Sequence, residues 1–512
     1  METECDKKHN DRESAEAIVT GSTNREGPNV VTMQITVSKS RTARKLTEMP
    51  GRRNVTGAAG RRTCDPSKLY KQKEKQQVEL IERILDDNNI NAAIQAVQSN
   101  KGAPGIDKMP VEALKSYFVV HGEEIKEQIR NKRYQPQPVR RVYIPKANGK
   151  MRPLGIPVVV DRVIQQAVAQ VLSVGYERYF SEFSYGFRVK RDCHMAIAKA
   201  LEYMNNGYEW VVDLDIEKYF DTVNHDKLIS ILRERINDAP TLHLIRSFLK
   251  AGVMENGLVS PTEEGVPQGG PLSPVLSNVY LDKLDKELEG RGLCFARYAD
   301  DCDIFTRSEK AADRVMKSIA SWLERKLRLK VSASKTKVVR PSDSEFLGFT
   351  FWKSKEGWKP RPLDARKDKL RKKIQEILCR KQAAAHPLGL VFTKLNHVLR
   401  GWINYFRIGS MKTWLKEELG PWLRHKVRVV ILKQWKKPKT IYKNLMKLHR
   451  FLKCNISPAR VRGVANARQG WYRRAKLPIV NFLLSPEILS MPNLEKNRPG
   501  LVDPLAYYLR NT

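Results

Sequence analysis

Short alternating apolar segments and longer segments with helical periodicity follow one another along this 512-residue chain. Residues 210–216 alternate apolar and polar positions as a half-buried strand does. Residues 139–145 and 150–157 flank an Asn-Gly pair, a pattern typical of a β-hairpin. Helical periodicity is clear over residues 78–85 and 161–174. Because helices and strands interleave with hairpins, the pattern predicts an α+β fold and not a doubly wound parallel sheet.

Residues 295–305 contain the most informative pattern. Apolar segments predict two short strands here, with Ala299-Asp300-Asp301 as the tight turn between them. Two adjacent carboxylates need partners before they can be buried, and a divalent cation would supply the opposite charge. Taken alone, the stretch leaves an ordinary exposed Asp-Asp turn as the alternative.

The two ends of the chain differ from its middle. Residues 1–68 are rich in Ser, Thr, Asn, Gly and Arg and show little periodicity, which predicts a mostly disordered basic extension. From about residue 365 the chain is helical and basic. Trp402, Tyr405 and Phe406 recur there at helical spacing, so we predict core positions first and stacking surfaces for bases second.

Positive charge is concentrated in the last third of the sequence. The net charge is +37, and residues 351–512 alone hold 37 Lys and Arg against 9 Asp and Glu. A surface with this excess would repel itself without a counter-charged partner, which predicts binding to a polyanion. A solvated charged surface is the alternative, but such surfaces usually mix both signs.

Composition excludes several classes of protein. With 41% apolar and 29% charged residues, the chain has the balance of a globular protein with substantial cores. No apolar stretch approaches the length of a membrane span, and the N-terminus lacks the apolar core of a secretory signal. The seven cysteines form no close pair of the zinc-ligand type, which favours a reducing compartment over a disulfide framework.

Two separate segments place carboxylates where strands end. Asp215 closes an apolar strand and Asp300 lies at the predicted turn, so a sheet carrying both strands side by side would bring them together. Two metal ions about 3.5–4 Å apart, held by such carboxylates, stabilise the attacking and leaving oxygens of an in-line phosphoryl transfer. Mg²⁺ suits the site because it takes few carboxylates and accepts phosphate oxygens.

At this point the sequence resembles a known family. The order of its motifs is similar to that of reverse transcriptases, and Leu-Arg-Gly-Trp-Ile-Asn-Tyr-Phe-Arg at 399–407 is similar to the maturase signature of group II intron-encoded proteins. The match covers roughly residues 70–480. The motifs are Arg-Val-Tyr-Ile-Pro-Lys at 141–146, Arg-Pro-Leu-Gly-Ile-Pro at 152–157, Asp-Leu-Asp-Ile-Glu-Lys-Tyr-Phe-Asp at 213–221, Pro-Gln-Gly-Gly-Pro-Leu-Ser-Pro at 267–274, Tyr-Ala-Asp-Asp at 298–301, Ser-Lys-Thr-Lys at 334–337 and Phe-Leu-Gly-Phe at 346–349.

The resemblance implies a right-hand polymerase, with fingers and an antiparallel palm sheet, followed by an α-helical thumb or maturase domain. Relatives often end in a His-Asn-His endonuclease with paired cysteines. None is expected here, because Cys454 stands alone and residues 455–512 contain no histidine. The expected regions are the extension at 1–68, fingers at 69–185, palm at 186–355, thumb/maturase at 365–440 and a basic DNA- or RNA-binding region at 441–512.

By the same resemblance, Asp215, Asp300 and Asp301 are the catalytic, metal-binding residues, with the backbone carbonyl of Ile216 as a further ligand. The expected cofactor is a pair of Mg²⁺ ions, with Mn²⁺ as a substitute. In this family the catalytic aspartate precedes an aromatic steric gate by five positions. That spacing selects Asp215 over Asp213.

Four residues are expected to bind the incoming nucleotide: Lys146, Arg152, Phe220 and Gln268. Phe220 is the steric gate, since a ring beneath the sugar leaves no room for a 2′-hydroxyl. Lys146 and Arg152 lie on the two arms of the hairpin and match the family's triphosphate-binding residues. Without the resemblance, these two would be ordinary surface charges and Gln268 a loop amide.

Basic residues of the palm and thumb are the expected nucleic-acid contacts. For Lys335 and Lys337 a solvated surface position is nearly as good an interpretation. The expected set is Lys335, Lys337, Arg400, Arg424, Arg428, Lys433, Lys436 and Lys437.

The leading hypothesis is an RNA-directed DNA polymerase, encoded by a group II intron, that copies intron RNA and assists its splicing. Expected partners are intron RNA, a DNA target or primer and deoxynucleoside triphosphates, in a cytoplasmic, bacterial-type ribonucleoprotein near the nucleoid and without a membrane. The oligomeric state stays open between monomer and dimer. Alternatives are a domesticated or defence-type reverse transcriptase without intron mobility, and an RNA-binding splicing factor with a vestigial polymerase.

Overall fold

The structure is a computed structural model. The residues it describes fall in three ranges: 79–145, 151–492 and 498–512. The predicted extension at 1–68 lies outside the described residues, as do Lys146 and the Asn148-Gly149 turn. Within the described ranges, no helix combines the length and apolar character needed to cross a membrane.

The strands of the described residues are β1 (Val139–Pro145), β2 (Met151–Ile156), β3 (Trp210–Leu214), β4 (Val253–Glu255), β5 (Leu258–Ser260), β6 (Cys294–Tyr298), β7 (Asp301–Thr306), β8 (Lys337–Val339), β9 (Phe349–Ser354) and β10 (Gly357–Pro362). The first α-helices are α1 (Leu80–Leu85), α2 (Asp87–Ser99), α3 (Leu114–Arg130), α4 (Val159–Glu177), α5 (Cys193–Asn205), α6 (Tyr219–Thr222), α7 (His225–Arg233), α8 (Ala239–Lys250), α9 (Ser273–Gly290) and α10 (Glu309–Trp322). The later ones are α11 (Asp364–Ile377), α12 (Arg380–Ala385), α13 (Leu388–Phe406), α14 (Lys412–Trp414), α15 (Gly420–Trp435), α16 (Pro438–Phe451), α17 (Pro458–Asn466), α18 (Trp471–Arg474), α19 (Pro478–Leu483), α20 (Pro486–Ser490) and α21 (Pro504–Asn511).

A four-stranded sheet in the order β2-β1-β4-β5 forms the N-terminal sheet. β1 and β2 pair antiparallel, with Ile144 opposite Arg152, which confirms the predicted hairpin strands. β1 also pairs parallel with β4, and β4 pairs antiparallel with β5. The hairpin that carries Arg152 is therefore anchored to a distant segment of the chain.

The central sheet has the order β6-β7-β3-β8, and its strands are antiparallel. Because side chains alternate between the two faces of a strand, Val212 of β3 and Ile304 of β7 face one hydrophobic core. Val211 and Phe305 face a second core on the other side. The sheet is buried on both faces, so charged side chains on its strands need partners or a position at its end.

The first core joins helices α2, α4 and α9 to the central sheet. The residues predicted as fingers and the residues predicted as palm share this core, and no break in it marks the boundary expected near residue 185. Asn224 accepts a hydrogen bond from the Lys227 amide at 2.9 Å and caps α7, as its position in the sequence predicts.

The second core is built mainly by α13 and α15, with α5 and β9. Tyr405 and Phe406 are buried in it, and the Trp402 ring lies 4.6 Å from that of Phe406 between ring centroids. The interpretation of these aromatic residues as core is confirmed. The helical character predicted from about residue 365 is confirmed as well, since α11 begins at Asp364.

Strand β9 begins at Phe349, because Leu347 and Gly348 before it have positive φ angles of 52° and 82° and form a turn. One local prediction is corrected. The helix expected from Asp161 begins at Val159. Asp161 is buried within this helix and accepts hydrogen bonds from the Tyr134 hydroxyl at 2.6 Å and the Gln137 amide at 2.9 Å, where burial raises its pKa to about 7.

Candidate active site

The strand register brings the predicted carboxylates to one end of the central sheet. Asp213 of β3 pairs with Asp303 of β7, and Leu214 pairs with Cys302. One step further, Asp215 leaves β3 where Asp301 begins β7. Because alternate residues share a face, Asp213, Asp215, Asp301 and Asp303 lie on the same side of the sheet.

The turn between β6 and β7 sets the position of Asp300. Tyr298 pairs with Asp301, so Ala299 and Asp300 form the two-residue connection, and the strand–turn–strand prediction for this stretch is confirmed. Ala299 has a φ of 59°, in the left-handed region that residues with a side chain rarely adopt. This conformation turns the chain sharply and brings Asp300 to the end of the sheet.

Burial and mutual repulsion dominate the electrostatics of this cluster. Asp301 is exposed at the start of β7, but neighbouring protein atoms still displace much of the water around its carboxylate. Burial, followed by the negative charges of Asp300 and Asp213, raises the pKa of Asp301 to about 7. Burial also raises the pKa of Asp300, with the charge of Asp215 adding to the effect. A cation bound nearby would stabilise the ionised form of these carboxylates.

Two lysines already supply part of that positive charge. The Lys335 ammonium donates to both carboxylate oxygens of Asp215 at 2.9 Å, and its side chain is two-thirds exposed. The ammonium nitrogen of Lys337 lies 3.9 Å from a carboxylate oxygen of Asp213. The sequence led us to expect phosphate contacts for these lysines, and the structure places both beside the acidic cluster. An exposed ion pair of this kind contributes little to stability and opens readily.

Residues 331–336 hold the backbone at Asp215 in place. Its amide donates to the Thr336 hydroxyl at 3.1 Å, and its carbonyl accepts from the Ser332 amide at 2.8 Å. The bridge between Ile216 and Val331 therefore uses the Asp215 carbonyl and leaves the Ile216 carbonyl outside it. Ile216 thus keeps an oxygen that is compatible with its predicted role as a ligand.

The donor set fits a hard divalent cation. Asp215, Asp300 and Asp301 offer carboxylate oxygens, and oxygen is the ligand that Mg²⁺ prefers. Within the described ranges, however, no three His, Cys, Asp or Glu side chains converge closely enough to hold a metal ion. Asp215 points to Lys335 instead. Side-chain rotation at Asp215, with release of that lysine, is needed to complete the set.

Arg152 and Gln268 lie on neighbouring elements. The positive charge of Arg152 is close enough to Asp300 to oppose the rise of its pKa. The carbonyl of Gln268 accepts from the Gly155 amide of β2 at 2.8 Å, so the loop before α9 is tied to the strand that carries Arg152. Lys146, the other predicted triphosphate residue, lies outside the described residues.

Phe220 lies on the short helix α6, five positions after Asp215. Its ring is half-buried, with the Tyr219 ring 5.1 Å away between centroids, and its carbonyl accepts from the Val266 amide at 2.6 Å. Since Val266 and Gln268 belong to the same loop, backbone hydrogen bonds connect Phe220 through that loop to β2.

The predicted nucleic-acid residues of the helical region fall into two groups. Arg400, Lys436 and Lys437 are exposed, as a phosphate contact requires. The others have partners within the protein: Lys433 donates to the Arg380 carbonyl at 3.1 Å, and Arg424 pairs with Asp503 at 3.2 Å.

Arg428 is a correction. Its guanidinium is buried and donates to the Leu484 carbonyl at 2.9 Å and to the Asn481 side chain at 2.6 Å, and burial lowers its pKa to about 10. The predicted contact with nucleic acid is therefore wrong for Arg428, which holds α15 against α19. A basic residue within a helix gives no sign, in sequence, of the face on which it lies.

Sequence reasoning missed Asp303. Its side chain is buried, its pKa is raised well above the ordinary value by burial and by Asp213, and the Ser344 hydroxyl donates to it at 3.3 Å. The signal was present: Asp303 is two positions after Asp301, and strand alternation puts both on the same face.

A pH dependence follows from the raised pKa of Asp301. With a pKa of about 7, this carboxyl is mostly ionised at pH 8 and mostly protonated at pH 6, and metal ligands must be deprotonated. We expect the affinity for Mn²⁺, measured by electron paramagnetic resonance, to fall about tenfold from pH 8 to pH 6. An affinity that stays constant over this range would contradict the prediction.

The matched variant Asp301→Asn should show a weaker pH dependence, which then comes from the raised pKa of Asp300. It should also stabilise the protein in the absence of metal. A raised pKa means that the folded state holds the proton more tightly than the unfolded chain. That contribution to stability is present below the ordinary carboxyl pKa and is lost as pH rises through about 7. The variant should therefore melt at a higher temperature than the parent at pH 8, with little difference at pH 4.

Comparison with known proteins agrees with this geometry. Residues 144–351 match the family described as reverse transcriptase (RNA-dependent DNA polymerase), and residues 367–449 match the group II intron maturase-specific domain. The first match covers the part of the chain that carries the acidic cluster, and the second covers the helices that carry the exposed basic residues.

Two curated relatives are informative. Protein YkfC of Escherichia coli is 33% identical over 312 residues, which cover 53% of this chain and 81% of that protein. Group II intron-encoded protein LtrA of Lactococcus lactis is 43% identical over 197 residues, 38% of this chain and 32% of LtrA. The match thus spans most of the first relative and about a third of the second.

Among solved structures, the partial Cas6-RT-Cas1–Cas2 complex contains a chain that is 25% identical, with a TM-score of 0.32 over 48% of this chain and 43% of that chain. With so low a TM-score, assignment of the fold rests on the sheet topology and the two family matches. Together with the coverage of YkfC, these place the chain in the reverse transcriptase family, in the group that carries a group II intron maturase-specific domain.

Proposed function

We propose that this chain is an RNA-directed DNA polymerase that copies group II intron RNA by two-metal nucleotidyl transfer and that assists splicing of the same RNA. One observation carries the proposal: Asp215, Asp300 and Asp301 lie at the same end of the central sheet, and the positive charge of Arg152 acts on Asp300. Two Mg²⁺ ions bound by the carboxylates would activate the primer 3′-hydroxyl and stabilise the leaving pyrophosphate.

Side chains of the protein supply the other functions that nucleotidyl transfer needs, namely charge stabilisation, sugar selection and phosphate binding. Arg152 supplies fixed positive charge where the triphosphate becomes more negative. Phe220 excludes a 2′-hydroxyl, so the substrates are deoxynucleotides. Lys335 is released from Asp215 when the site is occupied, and its ammonium is then free to bind a phosphate of the substrate or the primer.

Primer extension tests the polymerase half of the proposal. On an RNA template with deoxynucleotides and Mg²⁺, the protein should extend a DNA primer to full length, and ribonucleotides should give little product. Complete absence of DNA product under conditions where the protein binds RNA would favour the splicing factor with a vestigial polymerase.

Sequencing of the RNA that copurifies with the protein tests the maturase half. Enrichment of one group II intron, together with faster splicing of that intron at low Mg²⁺ when protein is added, is the expected result. Active DNA synthesis without enrichment of an intron would favour a domesticated or defence-type reverse transcriptase. Since the proposed partner is intron RNA, we place the protein in a cytoplasmic ribonucleoprotein.

The exposed lysines at the end of α15 should contribute to RNA affinity through charge alone. Replacing Lys436 and Lys437 by glutamine removes two phosphate contacts, so the slope of log affinity against log salt should fall by about 2. The same double replacement at Lys310 and Lys317, exposed on α10, is the matched control and should leave the slope unchanged. Equal slopes for both variants would remove the α15 lysines from the interface.

A further inference from the structure

Arg297 is the largest fully buried side chain of the described residues, and its solvent exposure is 0%. It lies on β6, one position before the Tyr298-Ala299-Asp300-Asp301 segment. Its neighbours Phe295 and Ala296 are ordinary core residues. A charged group in such a place has a high desolvation cost and persists only where its partners compensate.

The guanidinium of Arg297 bridges three parts of the chain. Its Nε donates to Asp285 of α9 at 2.6 Å, and one terminal nitrogen donates to the Ser184 hydroxyl at 2.8 Å. The other terminal nitrogen donates to the backbone carbonyl of Ala299 at 2.8 Å. Through one planar group, helix α9 is thus connected to the turn that presents Asp300.

The contact with Ala299 falls on the one strained residue of the turn. Ala299 has a φ of 59°, and residues with such φ angles persist only where their surroundings hold them. Gly186 packs against the same turn. A Cβ atom added at Gly186 would clash with the Ala299 nitrogen, and the Gly186 carbonyl accepts a hydrogen bond from the side-chain amide of Asn278 on α9 at 2.8 Å.

We propose that Arg297 is a positioning residue: with Asp285 as its counter-charge, it holds the Ala299 carbonyl so that Asp300 and Asp301 face Asp215. The inference rests on the proposed function, since it assigns Arg297 a role in metal binding by those carboxylates. It goes further because Arg297 contacts neither the metal nor the substrate. Its effect is transmitted through the backbone of the turn.

An arginine is required here by geometry. The rigid fork of the guanidinium bonds Asp285 and Ala299 at once, whereas the ammonium of a lysine is a single point of charge. Arg297→Lys can keep the ion pair with Asp285, but it gives up the contact with Ala299. This variant therefore separates the positioning role from the role of the buried charge.

The test measures Mn²⁺ binding by electron paramagnetic resonance, at a temperature where each variant is folded. Loss of groups that orient metal ligands commonly lowers metal affinity 10- to 100-fold, and we expect Arg297→Lys to lower it about tenfold. RNA affinity should stay unchanged. A melting temperature that falls while Mn²⁺ affinity stays at the parental value would overturn the proposal and leave Arg297 as a fold-stabilising residue only.

A second variant disturbs the same turn without touching the arginine. Gly186→Ala pushes against the Ala299 nitrogen and should weaken Mn²⁺ binding as Arg297→Lys does. The matched control is Arg474→Met, which removes another buried guanidinium, one that donates to the Ala467 carbonyl in the helical region. It should lower stability and leave Mn²⁺ affinity unchanged; weaker binding in this control would show that loss of any buried arginine has the same effect.

The parent protein and Asp300→Ala separate failure of this inference from failure of the proposed function. If the parent binds Mn²⁺ and Asp300→Ala removes that binding, the metal site stands and the arginine variants decide the inference. If Asp300→Ala binds Mn²⁺ as the parent does, the proposed site itself is wrong, and the positioning role of Arg297 is wrong with it.

Discussion

Asp300→Ala is expected to abolish DNA synthesis and to leave RNA binding nearly intact. Asp300 lies in the turn that faces Asp215, and its removal takes away one carboxylate of the metal-binding set. A catalytic metal ion contributes several kcal/mol of transition-state stabilisation, which corresponds to a loss in rate on the order of 10³-fold or more. The measurement is single-turnover primer extension on an RNA template, with RNA affinity measured in parallel.

The matched control is Asp368→Ala, which removes an exposed carboxylate on α11. It changes the net charge by the same amount and should retain full activity. DNA synthesis by Asp300→Ala at a rate close to that of the parent would take Asp300 out of the metal site. A parallel loss of RNA affinity would point to misfolding as the cause.

Phe220→Ala should admit ribonucleotides. The ring is half-buried on α6, and its backbone is fixed to the loop that reaches β2, so its position relative to the sheet is well defined. Removing the ring opens space for a 2′-hydroxyl. Steric selection by an apolar pocket is generally worth roughly 10- to 200-fold, so the preference for deoxynucleotides should fall by about that factor.

The readout is the ratio of kcat/KM for a deoxynucleotide to that for the matching ribonucleotide. Phe118→Ala, at another half-buried phenylalanine on α3, is the control and should leave the ratio unchanged. An unaltered ratio in Phe220→Ala, with activity retained, would refute the gate assignment.

The pattern of the sequence was sufficient to predict the centre of the fold. Alternation along residues 210–216 and on either side of Asp300 predicted strands, and an alternating strand fixes which residues share a face. For that reason the strand and the turn could be predicted from the pattern alone, whereas the antiparallel sheet was expected from the family resemblance. The same rule, applied two residues further, would also have identified Asp303.

Contacts between distant segments could not be predicted in the same way. Arg428 lies in the middle of α15 and Lys436 directly after its last residue, yet the first is buried against α19 and the second is exposed. Nor could the pairing of Lys335 with Asp215, separated by 120 positions, be read from spacing. Each depends on how helices and loops pack, and periodicity carries no information about the partner.

The buried Arg297 illustrates the same limit more sharply. In sequence it is one more basic residue beside an acidic motif, where a solvent-exposed ion pair is the natural interpretation. The structure places it inside the protein, on the side of the sheet opposite the acidic cluster. The position of α9 brings Asp285 to this residue and so supplies its counter-charge.

The most direct test of the account is the position of Mn²⁺ in crystals of the protein with primer, RNA template and a deoxynucleotide, located by anomalous diffraction. Two ions should lie between Asp215 and Asp300, with Lys335 moved away from Asp215. Ions found elsewhere, or an Asp215 still paired with Lys335 while nucleotide is bound, would contradict the assignment of these carboxylates as the catalytic centre.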